Sequence, residues 1–413
     1  MSGSRLNQGP DLDQIVNKRN KWLFSSLEIS RYLVKSDNSV LIPRGNVWRL
    51  EIQAYPGYIY NLLKLTYFLA KQLFSFRKIS FQKKSTHILL STGSGYDLKN
   101  YSKYFPESNV EVIQLEAFNI NQFTNFNIVK IKSAFSFFLE NLQEASSILR
   151  LELPRDLRKK IVHQSLKHLA TYTYICAFLS VIKEQIPNVK IFDSGAYLLS
   201  IAANQTGIET VYMLHGLAGK VSRVSFPVYD NIYVYSSEDK SYFEDISPNS
   251  NVYLYPTEEL SKLEKRVIIF LRHYDRDMSE EHLSDLLILF LKKDYKIFLK
   301  KHPAYQGMLA DELVTKHDLE IVDLEVDAGG AILNLRPLFT VGWMSTALCE
   351  SLLMGVVPIS LSAEEITWTD KHDWTIYPIK KRSLSWRDEK AKIYDLLEDI
   401  SLYSNTLSEL RKR

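Results

Sequence analysis

Cysteine is nearly absent from this chain: Cys176 and Cys349 are the only two in 413 residues. They stand far apart, each inside an apolar helical pattern, so a disulfide framework and a cysteine zinc site are both excluded. Two buried free thiols are expected, and these fit a reducing compartment. An excess of one charge is also lacking. The net charge of +3 is too small to imply a nucleic-acid partner, and there is no zinc-finger spacing, RNA-binding signature or long basic helix. Long hydrophobic runs are missing as well. The most apolar stretch, 57–76, is interrupted by Lys64 and Lys71, which argues against a membrane-spanning helix. The first twenty residues are polar, so no secretory leader is expected there, and the expected location is the cytoplasm.

The stretch 57–76 has two readings. Leu62, Leu65, Leu69, Leu73 and Phe76 recur at helical spacing, and Arg77, Lys78, Lys83 and Lys84 follow. A helix packed on its own domain accounts for the stripe. An interfacial helix at an anionic membrane surface, on the inner face of the membrane, accounts for both the stripe and the basic residues.

What the sequence does contain is an ordinary globular composition, 46% hydrophobic and 24% charged, at a length beyond which single cores usually stop growing. Short apolar runs read as buried strands: 87–91, 110–115, 189–193, 210–214, 232–235 and 252–255, then 267–271, 296–300, 320–322, 338–341 and 356–361. Helical patterns separate many of them, notably 155–184, 197–205, 280–293 and 347–354. That alternation predicts an α/β protein with parallel, doubly wound sheets. The charged segment 256–265 lacks a β pattern and marks the best boundary. The expected domains are 1–258, 259–385, and a C-terminal helical stretch 386–413 that either packs back on the first domain or carries a weak membrane-surface patch.

Three segments carry candidate chemistry. In 338–359 a strand runs into Gly342, read as a tight turn, and then Ser345 and Thr346 at the start of a helix. A helix N-terminus has free N–H groups and a partial positive charge, and so favours phosphate. Glu350, one turn on, is placed to accept from ribose hydroxyls. The plainer reading makes Ser345 an N-cap and Glu350 a solvated helical residue. In 296–303 a strand leads into Lys300, Lys301, His302 and Pro303. A histidine held before a proline can donate to a phosphate oxygen or protonate a leaving phosphate; the plainer reading is an exposed basic turn. In 189–220, Asp193 ends one strand and His215-Gly216 ends the next, so both fall on one edge of a parallel sheet. Either is a candidate base for an acceptor hydroxyl, and Asp193 has the alternative of a helix cap. Lys220, Arg272 and the turn holding Gly93 and Ser94 are further candidate contacts to phosphate, donor or acceptor. No acidic pair shows metal-binding spacing, so no metal and no cofactor beyond the donor is expected.

His215-Gly216, Lys301-His302-Pro303 and Ser345-Thr346 with Glu350 resemble, as an ordered set, the bacterial GT-B glycosyltransferases that build surface polysaccharides. The sialyltransferase and polysialyltransferase group and the capsule Kdo transferases are similar in kind, and the teichoic-acid-type polymerases share much of the set. The resemblance spans about 189–361 and implies two Rossmann-like doubly wound domains facing a cleft. It also implies an inverting, metal-independent transferase that uses a CMP-activated nonulosonic acid or Kdo and a capsule or lipopolysaccharide glycan, oligosaccharide or lipid-linked, as acceptor. In the sialyltransferase-like families the base is an acid in an acidic-acidic-Gly motif, which corresponds to Asp193, although Ser194 departs from that pattern. In the teichoic-type polymerases the histidine of a His-Gly pair matters, which corresponds to His215. The alternatives are a polyol-phosphate or UDP-sugar transferase, a sugar-nucleotide epimerase, and a non-catalytic scaffold subunit.

Overall fold

A computed structural model of the chain describes residues 12–35, 47–74, 86–91, 98, 101–102, 105, 110–116, 120–151, 153–195, 197–214, 219–255, 259–272, 280–303, 305–317, 319–343, 345–361 and 382–412. They form two compact units. The first runs to His215 and also takes Lys220–Val234 and Lys240–Leu254; the second takes Gly216–Gly219, Tyr235–Asp239 and everything from Tyr255.

In the first unit, strands β1 (Thr86–Ser91), β2 (Glu111–Glu116), β3 (Lys190–Asp193), β4 (Glu209–Met213), β5 (Asn231–Val234) and β6 (Asn251–Leu254) form one sheet in the order β2-β1-β3-β4-β5-β6. Every pairing is parallel. The helices used below are α1 (Val47–Leu73), α2 (Ile131–Arg150), α3 (Leu169–Gln185), α4 (Tyr197–Thr206) and α5 (Ser237–Ile246). Helix α3 is apolar nearly all round and lies at the centre of the core, with Tyr172 to Leu179 all buried. Two polar side chains of α1 lie in that core and are fully bonded. The Asn61 amide donates to Gly57 O and Leu166 O, each at 2.7 Å, and accepts from Ala170 N at 2.9 Å. Gln72 donates to Val129 O (2.8 Å) and accepts from Val129 N and Tyr174 Oη.

The second unit holds β7 (Glu264–Phe270), α6 (Glu280–Lys292), β8 (Lys296–Lys300), α7 (Leu309–His317), β9 (Glu320–Ile321), α8 (Ala328–Leu335), β10 (Pro337–Gly342), α9 (Thr346–Leu353), β11 (Val357–Ser360), β12 (Leu384–Ser385), α10 (Lys390–Glu398) and α11 (Tyr403–Lys412). Its sheet is again wholly parallel, in the order β12-β11-β10-β7-β8-β9. Counted from β7 as first strand and read from β9, that order is 3-2-1-4-5-6, the dinucleotide-fold order. Both faces are covered, which is why the strands read as continuous apolar runs. Side chains still alternate by face: Val267 and Ile269 pack in one cluster, Ile268 and Phe270 in the other.

Several elements differ from the sequence expectation. The run 155–184 is not one helix: a helix at Arg155–Lys160 passes through a π turn (Ile161–Ser165) and a 3₁₀ turn (Leu166–His168) before α3 begins. There the Ser165 hydroxyl bonds out of the helix to Leu23 O. Strand β12 follows no apolar run and pairs with β11 over two residues. Helices α10 and α11 pack into the second unit, where Ile393, Leu396, Tyr403 and Leu410 join its core. The Tyr403 hydroxyl ties them down, donating to Leu338 O (2.7 Å) and accepting from Val357 N (3.0 Å). In α1, Leu65 and Leu69 of the expected stripe are buried, but Leu62 and Leu73 face solvent.

Candidate functional site

Open parallel sheets bind ligands beyond the carboxyl ends of their strands, where the strand order reverses. In the second unit that point lies between β7 and β10. Register sets Phe270 beside Lys300 on one side and Gly342 on the other, with Ser360 next to Gly342. Strands lie about 4.8 Å apart, so the ends of β8 and β10, flanking β7, are separated by about 10 Å. The residues that emerge along this edge are Arg272, Lys301 with His302, and the 343–346 segment.

The β8 loop is pinned rather than loose. The His302 carbonyl accepts from Tyr305 N at 2.9 Å, closing a turn in which Pro303 takes the position that favours a fixed φ. The Tyr305 hydroxyl then accepts from Ala310 N at 3.1 Å. Lys301 reaches Asp311 at 2.8 Å, with its ammonium 5.5 Å from the Tyr305 ring centre. Lys300 is buried, its amine near the carbonyls of Lys301 (3.3 Å) and Leu324 (3.5 Å). His302 is half-buried and Pro303 exposed.

On the β10 side, Gly342 belongs to the strand itself, not to a turn. A Cβ there would meet only ordinary contacts, at 3.5 Å from Phe270. The bend comes at Trp343, after the strand. Ser345 is the N-cap of α9, its backbone extended and its hydroxyl accepting from Ala347 N at 3.2 Å. Thr346 is the first helical residue and half-buried. Glu350 is buried, not solvated. The helices that follow β7, β8 and β9 start with acids: Glu280 and Glu281 in α6, Asp311 and Glu312 in α7, and the Asp327 cap of α8, which accepts from Gly330 N at 2.6 Å. Helix α9 has no acid in its first turn and a neutral cap, so its positive end is not already neutralised.

In the first unit, Asp193 ends β3 and is fully buried. Its Oδ1 accepts from Gly195 N at 2.7 Å; its Oδ2 accepts from the Ser200 hydroxyl and, at 2.8 Å, from the Tyr229 hydroxyl. The turn needs glycine at 195, where φ is +151°. Tyr229 stacks on Tyr212 with ring centres 5.0 Å apart. Burial first, then the Asp193 charge, pushes the Tyr229 hydroxyl well above its ordinary range. Sequence reading missed Ser200 and Tyr229 as partners of Asp193. Ser200 faces it from the first turns of α4, and Tyr229 is distant in sequence with no motif to mark it. Asp311, the partner of Lys301, was missed for the same reason. Lys220 is half-buried beside Val221, whose N–H and carbonyl both bond the Tyr242 hydroxyl, at 2.8 and 2.9 Å. Gly93, Ser94, His215 and Gly216 lie outside the described residues. Among the described residues no group of three or more His, Cys, Asp or Glu side chains is arranged to hold a metal ion.

No model of a known protein family matches the chain, and no curated protein matches it. Solved structures do align with it at low identity. The glycosyltransferase SnogD from Streptomyces nogalater is 10% identical, with a TM-score of 0.43, covering 80% of this chain and 95% of its own. MurG of Acinetobacter baumannii is 10% identical at a TM-score of 0.42, covering 80% and 95%. The UDP-GlcNAc 2-epimerase of Neisseria meningitidis, bound to UDP-GlcNAc, is 12% identical at 0.42, covering 81% and 94%.

Proposed function

We propose that this chain is an inverting glycosyltransferase that binds a nucleotide-activated sugar at the carboxyl edge of its second sheet. The observation that carries the reading is the β7/β10 reversal point, flanked by the pinned His302 loop and by the start of α9, which has no acid in its first turn and a neutral cap. A diphosphate or monophosphate ester set at that edge meets unneutralised N–H groups, the Ser345 and Thr346 hydroxyls, and the cations Lys301 and Arg272. His302 donates to the departing phosphate oxygen, Pro303 fixes its backbone, and Glu350 orders the ribose side of the site. Gly342 ends β10 in register with Phe270 and presents bare backbone to the donor at this edge. The order of motifs favours a CMP-linked nonulosonic acid or Kdo as donor and a bacterial surface glycan as acceptor.

The first unit receives the acceptor, with Gly93, Ser94, Gly216 and Lys220 as contacts. A base takes the acceptor hydroxyl proton, the freed oxygen bonds to the anomeric carbon, and the carbon–oxygen bond to the phosphate breaks. The released nucleotide carries the negative charge, which the positive groups of the donor edge stabilise. Asp193 and His215 are the two candidates for the base. Asp193 is fully buried with both oxygens accepting, which suits a positioning residue that holds the β3 turn, so we assign the base to His215.

A thermal-shift comparison of CMP, CDP, UDP and GDP tests the donor, because a ligand that binds only the folded state raises its stability by mass action. The expected result is a shift with CMP and slow release of CMP from a CMP-sugar, unaffected by EDTA. A shift with UDP alone replaces the donor by a UDP-sugar, interconversion of UDP-sugars without acceptor makes the chain an epimerase, and no shift with any nucleotide leaves a scaffold. His302→Ala is expected to weaken CMP binding by at least about tenfold, the loss of one charge-assisted hydrogen bond; unchanged binding removes His302 from the site. His215→Ala is expected to abolish turnover at saturating donor while Asp193→Asn retains part of it, and the reverse ranking returns the base to Asp193.

A further inference from the structure

Helix α1 has two unlike faces. One is built into the first unit through Ala54, Asn61, Leu65, Phe68, Leu69 and Gln72. The other carries Tyr55, Ile59, Leu63 and Tyr67, spaced four apart and exposed by 62%, 60%, 66% and 60% of their surface. Residues so spaced stack along one side of a helix, giving an apolar ladder about 18 Å long. Phe74, 79% exposed, extends it past the helix end. A soluble surface carries isolated apolar side chains without consequence, but a contiguous aromatic and aliphatic strip marks an interaction face.

The charge around the strip identifies what covers it. Between Glu51 and the last described residue of this stretch, Phe74, the segment carries two lysines, Lys64 and Lys71, and no Asp or Glu. Lys64 and Lys71 project from α1 itself. The Lys64 ammonium lies 5.9 Å from the Tyr60 ring centre and 5.7 Å from that of Phe68, a cation–π contact beside the strip. Lys167, on the turn packed beneath α1, joins Lys64 in adding to the burial that lowers the His168 pKa. A second copy of the chain is a poor occupant. A two-fold interface sets one patch against itself, and here that brings Lys64 and Lys71 toward their own copies; lysine is also depleted from protein–protein interface cores. Anionic headgroups supply the missing charge, and tyrosines and phenylalanine suit the boundary between headgroup and acyl chain. Among the described residues no helix is long and apolar enough to cross a membrane, so the helix lies on the bilayer and not through it.

We propose that α1 is a membrane-surface helix that docks the first unit on an anionic phospholipid bilayer, with the Tyr55–Tyr67 ladder entering the interface and the lysines reaching lipid phosphates. It stands independently of the sugar-transfer reading, which concerns the second unit.

Co-sedimentation of the full chain with vesicles tests it. Vesicles of equal parts phosphatidylcholine and phosphatidylglycerol are expected to bind at least about tenfold more protein than phosphatidylcholine alone, and added salt should weaken that binding through screening. The Leu63→Glu/Tyr67→Glu double variant, changed at two solvent-facing positions and checked for an unaltered melting temperature, should lose that binding by at least about tenfold. Ile288→Glu, an exposed apolar position on α6, should bind as the parent does. Equal binding to both vesicle types, or none to either, overturns the proposal. So does a dimer in sedimentation equilibrium that the double variant dissolves while vesicles capture nothing, since the occupant is then a second copy.

Discussion

The Gly195 N–H and the Ser200 and Tyr229 hydroxyls donate to the Asp193 carboxylate, and the two hydroxyl bonds are each separable by mutation. A bond to a buried charge contributes about 2 kcal/mol, so Tyr229→Phe is expected to lower the unfolding free energy by about that amount in a denaturant titration while nucleotide affinity stays unchanged. An altered affinity would give this network a part in binding. Asp239 is the opposite case: one of its buried carboxylate oxygens has no partner. Burial, the largest influence, raises its carboxyl above the ordinary range, against the pull of Ser236 and Arg382. The folded state therefore holds that proton more readily than the unfolded chain does. The cost of the ionised form bears on the fold at neutral pH and is relieved as pH falls through the raised value. Asp239→Asn is expected to stabilise the protein at pH 7 by about 1 kcal/mol, with the gain gone near pH 4, where the unfolded carboxyl itself begins to protonate. A variant that melts with the parent at pH 7 would show that Arg382 already offsets the burial.

Secondary structure elements were legible where a single physical rule dominated. The runs VIIFL, KIFLK and LFTV announce strands covered on both faces, and β7, β8 and β10 contain them almost residue for residue. Helix α9 was legible from its cap, because Ser345 serves as one. Ser345→Ala is expected to cost about 1 kcal/mol, seen as lost hydrogen-exchange protection in the first turn of α9; unchanged protection would show that tertiary packing alone holds that turn. The rest depended on contacts that periodicity does not encode. The break at 161–168 answers to a hydroxyl bonded to Leu23, far away in sequence. The outward face of Leu62 and Leu73 follows from Asn61 and Gln72 taking the inner positions. Buried amides look like surface residues until their partners are known. Asn61→Leu is expected to destabilise by about 2–3 kcal/mol, since it strands the Leu166 carbonyl and the Ala170 N–H; a chevron or equilibrium titration with no loss would mean water replaces the amide. Of the candidate site, the elements bearing it were legible and the partners that tune it, Asp311, Ser200 and Tyr229, were not.

Across the whole molecule, two sheets with separate cores imply that a donor analogue protects one unit. With CMP at a hundredfold its Kd, stabilisation of about 2.7 kcal/mol should appear as slowed hydrogen exchange in β7, β8 and β10, leaving β1 to β6 unaffected. Uniform slowing would show that the two units open together. The second sheet has a further consequence. Because all six of its strands run the same way, residues 301–303, 305–308, 343 and 345 belong to one rim, while turns such as that at Asp294, with φ of +56°, belong to the opposite rim. Foreign loops grafted at the first rim are therefore expected to leave the scaffold folded only where Tyr305 and Trp343, which pack with the core of that unit, are retained.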